Sequence, residues 1–206
     1  GALHPSSARI YNNIGCVHVE FNEFKEARRA FEGALDVQRS ALLNDPENAP
    51  LMFATATTLC NLGYLYRYRD MHAKASDVLK EAVSLQETVL GRNHSTVLST
   101  LDNLADSCAN SGNAAEALRF YNNVLERFPN VETNKRAEAV LLYKMSRVHR
   151  NREDRNSQLD CLKNALRAVR MYSDGKEGRT DTLERRILYD IRACREHLEK
   201  EGRERI

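Results

Sequence analysis

The sequence predicts an all-α solenoid of antiparallel helix pairs, about four pairs followed by one C-terminal helix. Three observations carry this prediction. Apolar residues recur at helical spacing along nearly the whole chain, a short pattern returns at a near-constant interval, and only four prolines and nine glycines interrupt 206 residues. The most legible stretch is Leu90 to Leu125. Val97, Leu98, Leu101, Leu104, Ala105 and Cys108 form one apolar stripe of a helix. Ser111-Gly112-Asn113 breaks it with turn chemistry. Ala117, Tyr121, Val124, Leu125 and Phe128 then resume it, and Pro129 closes it. A helical hairpin of this kind cannot bury its own apolar face, so copies are required. They are present. Asn103-Leu104-Ala105 with Ala117 recurs as Asn13-Ile14-Gly15 with Ala27, as Asn61-Leu62-Gly63 with Ala75, and more weakly as Lys144-Met145-Ser146 with Gln158. The small residue steps from Gly15 to Gly63, Ala105 and Ser146, intervals of 48, 42 and 41 residues.

In order, the first repeat is expected over 6–43. Its first helix starts at Ser6 or Ser7 behind Pro5 and ends at Glu20, with Ala8, Tyr11, Ile14, Gly15 and His18 as the buried stripe. A turn near Phe21–Glu23 leads to a second helix carrying Phe24, Ala27, Phe31, Ala34 and Leu35, and Asn44-Asp45-Pro46-Glu47-Asn48 ends it. The second repeat, 51–90, carries Leu59, Leu62, Gly63 and Tyr66, turns near Arg69–Met71, and returns through Ala75, Leu79, Ala82, Val83 and Val89 to a C-cap at Gly91. The third repeat spans 95–128. The fourth, 136–172, carries Leu142, Met145, Ser146 and His149, turns through Asn151–Asp154, and continues with Leu159, Leu162, Ala165 and Leu166. Ser173 to Gly178 forms a break. A last helix over 180–200 should bury Leu183, Ile187, Leu188, Ile191 and Cys194. That helix lacks a return partner. It is either a cap with a wet outer face or the first half of a fifth repeat, and the register favours a piece of a longer protein. The whole chain reads as one helical-repeat domain.

Composition narrows the class. Hydrophobic content of 42% and charged content of 29% suit a folded, soluble chain. No apolar run approaches the ~20 residues a membrane span needs, and no secretory signal is visible. Cys16, Cys60, Cys108, Cys161 and Cys194 lie far apart, without metal-ligand spacing. They read as small core hydrophobes, reduced, in the cytoplasm or nucleus, with the cytoplasm preferred. From Arg127 onward there are 20 Lys and Arg against 14 Asp and Glu; the preceding residues hold 11 against 15. The basic C-terminal half can attract acidic partners or simply solvate helix faces.

Gly15 and Gly63 lie inside helices, where glycine costs about 1 kcal/mol relative to alanine. Close approach of the paired helix would offset that cost, with the alanines at 27, 75 and 117 also allowing it. Phe31, Leu79 and Tyr121 are expected at the flanks. This alternation of small and large residues resembles the tetratricopeptide repeat, whose ordinary length is ~34 residues. The longer step here gives each helix about one more turn. Leu90-Gly91-Arg92-Asn93-His94-Ser95, followed by Val97, Leu98 and Asp102-Asn103-Leu104-Ala105, looks like the linker and first helix of kinesin light chain repeats. His4-Pro5 with Asn12-Asn13-Ile14-Gly15 repeats that linker in register. The resemblance covers Leu3 to Phe128 well and Val131 to Tyr172 loosely. Long repeats of this type also occur in regulatory tails of signalling NTPases. The resemblance implies a right-handed superhelix.

In such stacks the first helix of each pair lines the concave wall. The position before the stripe's Leu, Ile or Met reads Asn13, Asn61, Asn103 and Lys144. Primary amides both donate and accept, so a ladder of them could hold an extended peptide backbone. The bland alternative is an amide bonded to its neighbours or to water. Around the ladder fall Arg9, Asn12, Tyr64, Arg67, Tyr68, Asp106, Asn110, Arg147, Arg150 and Asn151. Arginines here could pair with acidic side chains and the tyrosines could pack an aromatic anchor. Kinesin light chains bind short cargo-adaptor peptides with an aromatic amid acids, and this groove would suit one, although Asp106 is discordant.

Other chemistry is poorly supported. His4 and His94 look like helix-entry residues, and His18 and His149 sit on the stripe where Tyr66 and Cys108 recur. No phosphate loop, nucleophile elbow or metal motif appears, so neither enzyme, cofactor nor metal is expected. Nucleic-acid binding through Arg147–Arg155 and Arg185–Arg195 is disfavoured by the interspersed Glu153, Asp154 and Asp190. The sequence therefore predicts a non-catalytic adaptor or scaffold whose partner is a protein or short peptide, with neither nucleic acid nor membrane as a target. The alternative is a structural or regulatory repeat region mediating self-association or autoinhibition.

Overall fold

The computed structural model describes residues 5–127, 134–173 and 182–204. Among these residues every regular element is a helix: α1 (Pro5–Glu20), α2 (Phe24–Asn44), α3 (Ala49–Tyr68), α4 (His72–Leu90), α5 (Ser95–Asn110), α6 (Ala114–Arg127), α7 (Lys135–Asn151), α8 (Arg155–Ser173) and α9 (Thr182–Glu204). Two compact units result, Gly1–Asn113 with α1–α5 and Ala114–Ile206 with α6–α9. In the first, α1 pairs with α2 and α3 with α4, while α2 also packs on α3 and α4 on α5. In the second, α7 pairs with α8, and α6 and α9 flank that pair. The break at Ser173 to Gly178 and the stripe's end at Phe128 and Pro129 lie outside the described residues, apart from the backbone of Ser173.

The turn of each repeat is built the same way. Asn22, Asp70, Gly112 and Glu153 adopt positive φ, at 60°, 55°, 87° and 61°. The following N–H groups of Glu23, Met71, Asn113 and Asp154 donate to the carbonyls of His18, Tyr66, Cys108 and His149 at 2.8, 2.8, 2.9 and 3.0 Å. A second bond runs from each positive-φ residue to the carbonyl three before it. This is a Schellman cap, which satisfies carbonyls the helix leaves unpaired. Its left-handed residue recurs at the intervals of the small residues. His18 and His149 thus occupy the cap position where Tyr66 and Cys108 sit, and each faces an acid. His18 Nδ1 lies 2.5 Å from Glu23 Oε2, and His149 Nδ1 lies 3.3 Å from Asp154 Oδ2.

Helix starts follow local chemistry. Asn48 caps α3 by accepting from the Leu51 N–H at 2.9 Å, with Pro50 in the first turn, so α3 begins slightly earlier than the expected Leu51. His94 caps α5 by accepting from the Thr96 N–H at 3.2 Å, which gives the linker histidine its role. Gly91 ends α4 at φ 82°.

The core of the first unit joins Ala27, Phe31, Leu35, Leu59, Leu62, Leu65, Tyr66, Ala75 and Ala82. Its glycines accept large neighbours rather than small ones. A Cβ on Gly15 would lie 2.5 Å from Phe31 Cε1, and one on Gly63 would lie 2.8 Å from Leu79 Cδ2. Phe31 and Leu79 therefore sit over the glycines, not on the flanks.

Two stripe expectations need correction. Tyr11 and Ile14 remain 36% and 41% exposed, and Ile10, Val17 and Phe21 are exposed with them. The repeat-equivalent residues of Ile10, Ile14 and Val17 are Thr58, Leu62 and Leu65 on α3 and Thr100, Leu104 and Ser107 on α5, all buried. There, α2 and α4 cover the face; on α1 no earlier described helix does. In the second unit the core joins Leu162, Ala165, Ile187 and Ile191. Leu188 is 40% exposed, while Asp190 is buried and accepts from the Tyr143 hydroxyl at 2.8 Å. Burial and this bond push the Tyr143 phenol up. Among the described residues no helix is long and apolar enough to cross a membrane.

Candidate functional site

The expected groove residues divide between the units. Arg9, Asn12 and Asn13 lie on α1, Asn61, Tyr64, Arg67 and Tyr68 on α3, and Asn103, Asp106 and Asn110 on α5. Lys144, Arg147, Arg150 and Asn151 lie on α7 of the second unit.

Within the first unit α3 is the centre of a hydrogen-bonded wall. Asn61 Nδ2 donates to Asn12 Oδ1 at 3.0 Å and reaches Cys16 Sγ at 3.6 Å, tying α3 to α1. Arg67 Nη1 donates to Asn103 Oδ1, and Nη2 donates to Asp106 Oδ2 at 3.3 Å, tying α3 to α5. Asp106 is therefore Arg67's partner, which accounts for an acid in this position. Asn13 is exposed, whereas Asn61 and Asn103 are half-buried and engaged with neighbouring helices. Arg9 and Asn110 are exposed.

Beside these polar groups lies an aromatic surface. Tyr64 and Tyr68 are each 58% exposed and stack with ring centroids 6.5 Å apart. Tyr68 also tilts against Phe24 at 5.1 Å, and the Arg69 guanidinium sits 5.3 Å over that Phe24 ring. Sequence reasoning did not single out Phe53, Thr57, Thr96, Ser99 or Gln86. With Cys60, Asn61, Ser95 and Thr100 they line a cleft of about 470 Å³ between α3, α4 and α5. Phe53, Thr57, Asn61, Tyr64 and Tyr68 form a second helical stripe on α3, opposite the one that is buried. That spacing was the available signal.

On α7, Arg147, Arg150 and Asn151 are exposed. Lys144 is half-buried, with its ammonium 6.0 Å over the Tyr121 ring. Desolvation pushes the thiols of Cys16, Cys60, Cys161 and Cys194 up. Among the described residues no cluster of three or more His, Cys, Asp or Glu could hold a metal ion.

Comparison with known proteins identifies the repeat type. Tetratricopeptide repeat models match residues 7–47 and 54–130. The kinesin light chain-type TPR-like repeats of Podosopora anserina superpose with TM-score 0.71 at 14% identity, over 97% of this chain and 90% of theirs. MamA protein superposes with TM-score 0.58 at 18% identity, over 97% and 96%. BtubC (BKLC) from P. vanneervenii does so with TM-score 0.59 at 16% identity, over 92% and 79%. A Candida albicans protein, a clustered mitochondria protein homolog, is 25% identical over 126 residues, 61% of this chain. The chain spans 9% of the length of that curated relative. The chain belongs to the tetratricopeptide repeat family, with a kinesin light chain-like fold. Its described residues form an all-α helical-repeat solenoid, a protein-interaction repeat module.

Proposed function

We propose that the first unit binds a short extended peptide across α1, α3 and α5, as an adaptor or scaffold in the cytoplasm. The observation that carries this reading is the exposed Tyr64 and Tyr68 pair beside the amide and guanidinium groups of the same helix. Exposed, preorganised aromatics are the anchors that interfaces favour, because they bring area at low entropic cost. The preferred ligand carries an aromatic residue near acids. Its carboxylate takes the place of Asp106 at Arg67, while Arg9 supplies a second positive charge at the α1 end. On the second unit, taken by itself, Lys144, Arg147, Arg150 and Asn151 form a separate basic surface that suits an acidic ligand.

A fluorescein-labelled acidic peptide containing Trp or Tyr should bind the protein saturably and more weakly as salt rises. The Asn103→Ala, Arg67→Ala pair should weaken binding and flatten its salt dependence, and Tyr64→Ala with Tyr68→Ala should abolish it. A second reading has its own observation, the exposed apolar stripe of Ile10, Ile14, Val17 and Phe21, which favours self-association. If no such peptide binds while sedimentation shows a concentration-dependent dimer that Ile14→Glu dissolves, the peptide reading is refuted and self-association replaces it.

A further inference from the structure

The cleft between α3, α4 and α5 has features that the general groove does not require. None of the residues lining it is charged. At its floor Gln86 is 3% exposed; its Nε2 donates to Cys60 Sγ at 3.5 Å, and its buried Oε1 has no partner among the described residues. An unmatched buried carbonyl costs free energy that its removal would recover. The hydroxyls nearby do not serve it. Thr100 donates to the Thr96 carbonyl at 3.0 Å and Thr57 to the Phe53 carbonyl at 2.9 Å. Asn61 has turned its N–H groups toward Asn12 and Cys16, leaving its oxygen. The Gln86 oxygen at the floor and the Asn61 oxygen on the wall thus receive nothing from these groups, while Ser95, Thr96 and Ser99 line the cleft with hydroxyls that can donate as well as accept. Phe53, 41% exposed, adds an apolar rim.

We propose that this cleft is a subsite for one uncharged, hydrogen-bond-donating residue of a bound peptide, with a carboxamide side chain as the best fit and the Gln86 oxygen, brought to the cleft by a turn of the Gln86 amide, as its acceptor. This rests on the peptide-binding reading above. A charged side chain would enter a cleft with no counter-charge to meet it, and an aliphatic one would leave the acceptors unmatched. Gln38 provides an internal control. It occupies the equivalent position 48 residues earlier, is 3% exposed, donates to Thr58 at 3.1 Å and also has an unpartnered Oε1, yet it does not line this cleft.

The test uses the fluorescein-labelled acidic-aromatic peptide with Gln, Met or Glu placed at each position in turn. One position should prefer Gln over both others by about tenfold, the scale of one hydrogen bond to an otherwise orphaned buried group. Gln86→Met should erase that preference while raising the urea midpoint of the free protein, and Gln38→Met should raise the midpoint and leave the preference intact. A purely structural glutamine would move stability without touching positional preference. The proposal is overturned if peptides bind but no position discriminates, or if discrimination survives Gln86→Met. If no peptide of the set binds, the groove itself is refuted, and the subsite falls with it.

Discussion

Replacing Gly15 by alanine sets two effects of opposite sign against each other. Helix propensity favours alanine over glycine in a helix interior by about 1 kcal/mol. Packing opposes it. The new Cβ would lie 2.5, 2.6 and 2.9 Å from Cε1, Cδ1 and Cζ of Phe31. Carbon atoms in good contact sit about 3.5–4.0 Å apart, so the ring must retreat by roughly 1 Å. Phe31 is 1% exposed and is held in the core with Ala27, Leu35, Leu59 and Leu62, and a flat ring cannot evade the clash by flexing at its end. Overpacking of this kind costs about 1–3 kcal/mol. The balance is a net destabilisation of about 1 kcal/mol. Urea unfolding followed by circular dichroism should give a lower midpoint for Gly15→Ala, with midpoints compared directly because repeat arrays can unfold in stages. Phe31→Leu removes ring atoms, so in that background Gly15→Ala should become neutral or stabilising, a coupling of about 1 kcal/mol or more. A raised midpoint for the single variant, or strict additivity of the pair, would refute the reasoning.

Asn48→Ala should lower the urea midpoint by the equivalent of about 1 kcal/mol through loss of the α3 cap, and Asn48→Asp should recover most of it. Leu62→Ala should cost about 2–5 kcal/mol, whereas Ile14→Ala at the equivalent α1 position should cost about 1 kcal/mol or less; equal losses would mean that the outer face of α1 is covered in solution. Hydrogen bonds from the Ser157 side chain and backbone, with a smaller contribution from His149, hold the Asp154 carboxyl below the usual carboxylate value. A depressed carboxylate stabilises the fold above its unfolded value and loses that contribution as pH falls through the folded value. The urea midpoint of Asp154→Asn should therefore lie below the parent's at neutral pH and converge with it under acid; a gap unchanged throughout would contradict this.

Much of the fold was legible because it is local. Helical spacing located α2 and α4 within a residue or two, Gly91 ends α4 through its positive φ, and Asn48 starts α3 through its side-chain cap. The turns were harder. Gly112 announces its positive φ, but Asn22, Asp70 and Glu153 hold the same geometry without glycine, so only the shared repeat register reveals them. Burial of α1 was misread because periodicity shows which residues share a face, not whether another helix covers it. Leu188 and Asp190 exchange expected roles because the Tyr143 hydroxyl offers Asp190 a buried partner, a contact between residues 47 apart. The amide positions were visible for the same reason as the stripes, through regular spacing. Their bonds to one another were not, since the Asn61–Asn12 and Arg67–Asn103 contacts span 49 and 36 residues.

Those bonds change what the wall can offer a ligand. Had Asn61, Asn103 and Arg67 projected freely into solvent, a peptide would have gained every bond it made to them in exchange for water. Here an incoming group must displace Asn12 from Asn61 or Asp106 from Arg67, or use the valences those contacts leave. Exchange of one protein partner for another contributes less net free energy than a new bond. It also fixes the side chains in place before the ligand arrives, which lowers the entropy lost on binding. The polar wall is thus better suited to setting register than to supplying affinity. Affinity must come from surface that is dry in the complex and wet without it, and on α3 that surface is Phe53, Tyr64 and Tyr68, at 41%, 58% and 58% exposure. On the proposed peptide reading, the aromatics and the amides would divide the work along one helix, with the aromatics holding the peptide and the amides aligning it.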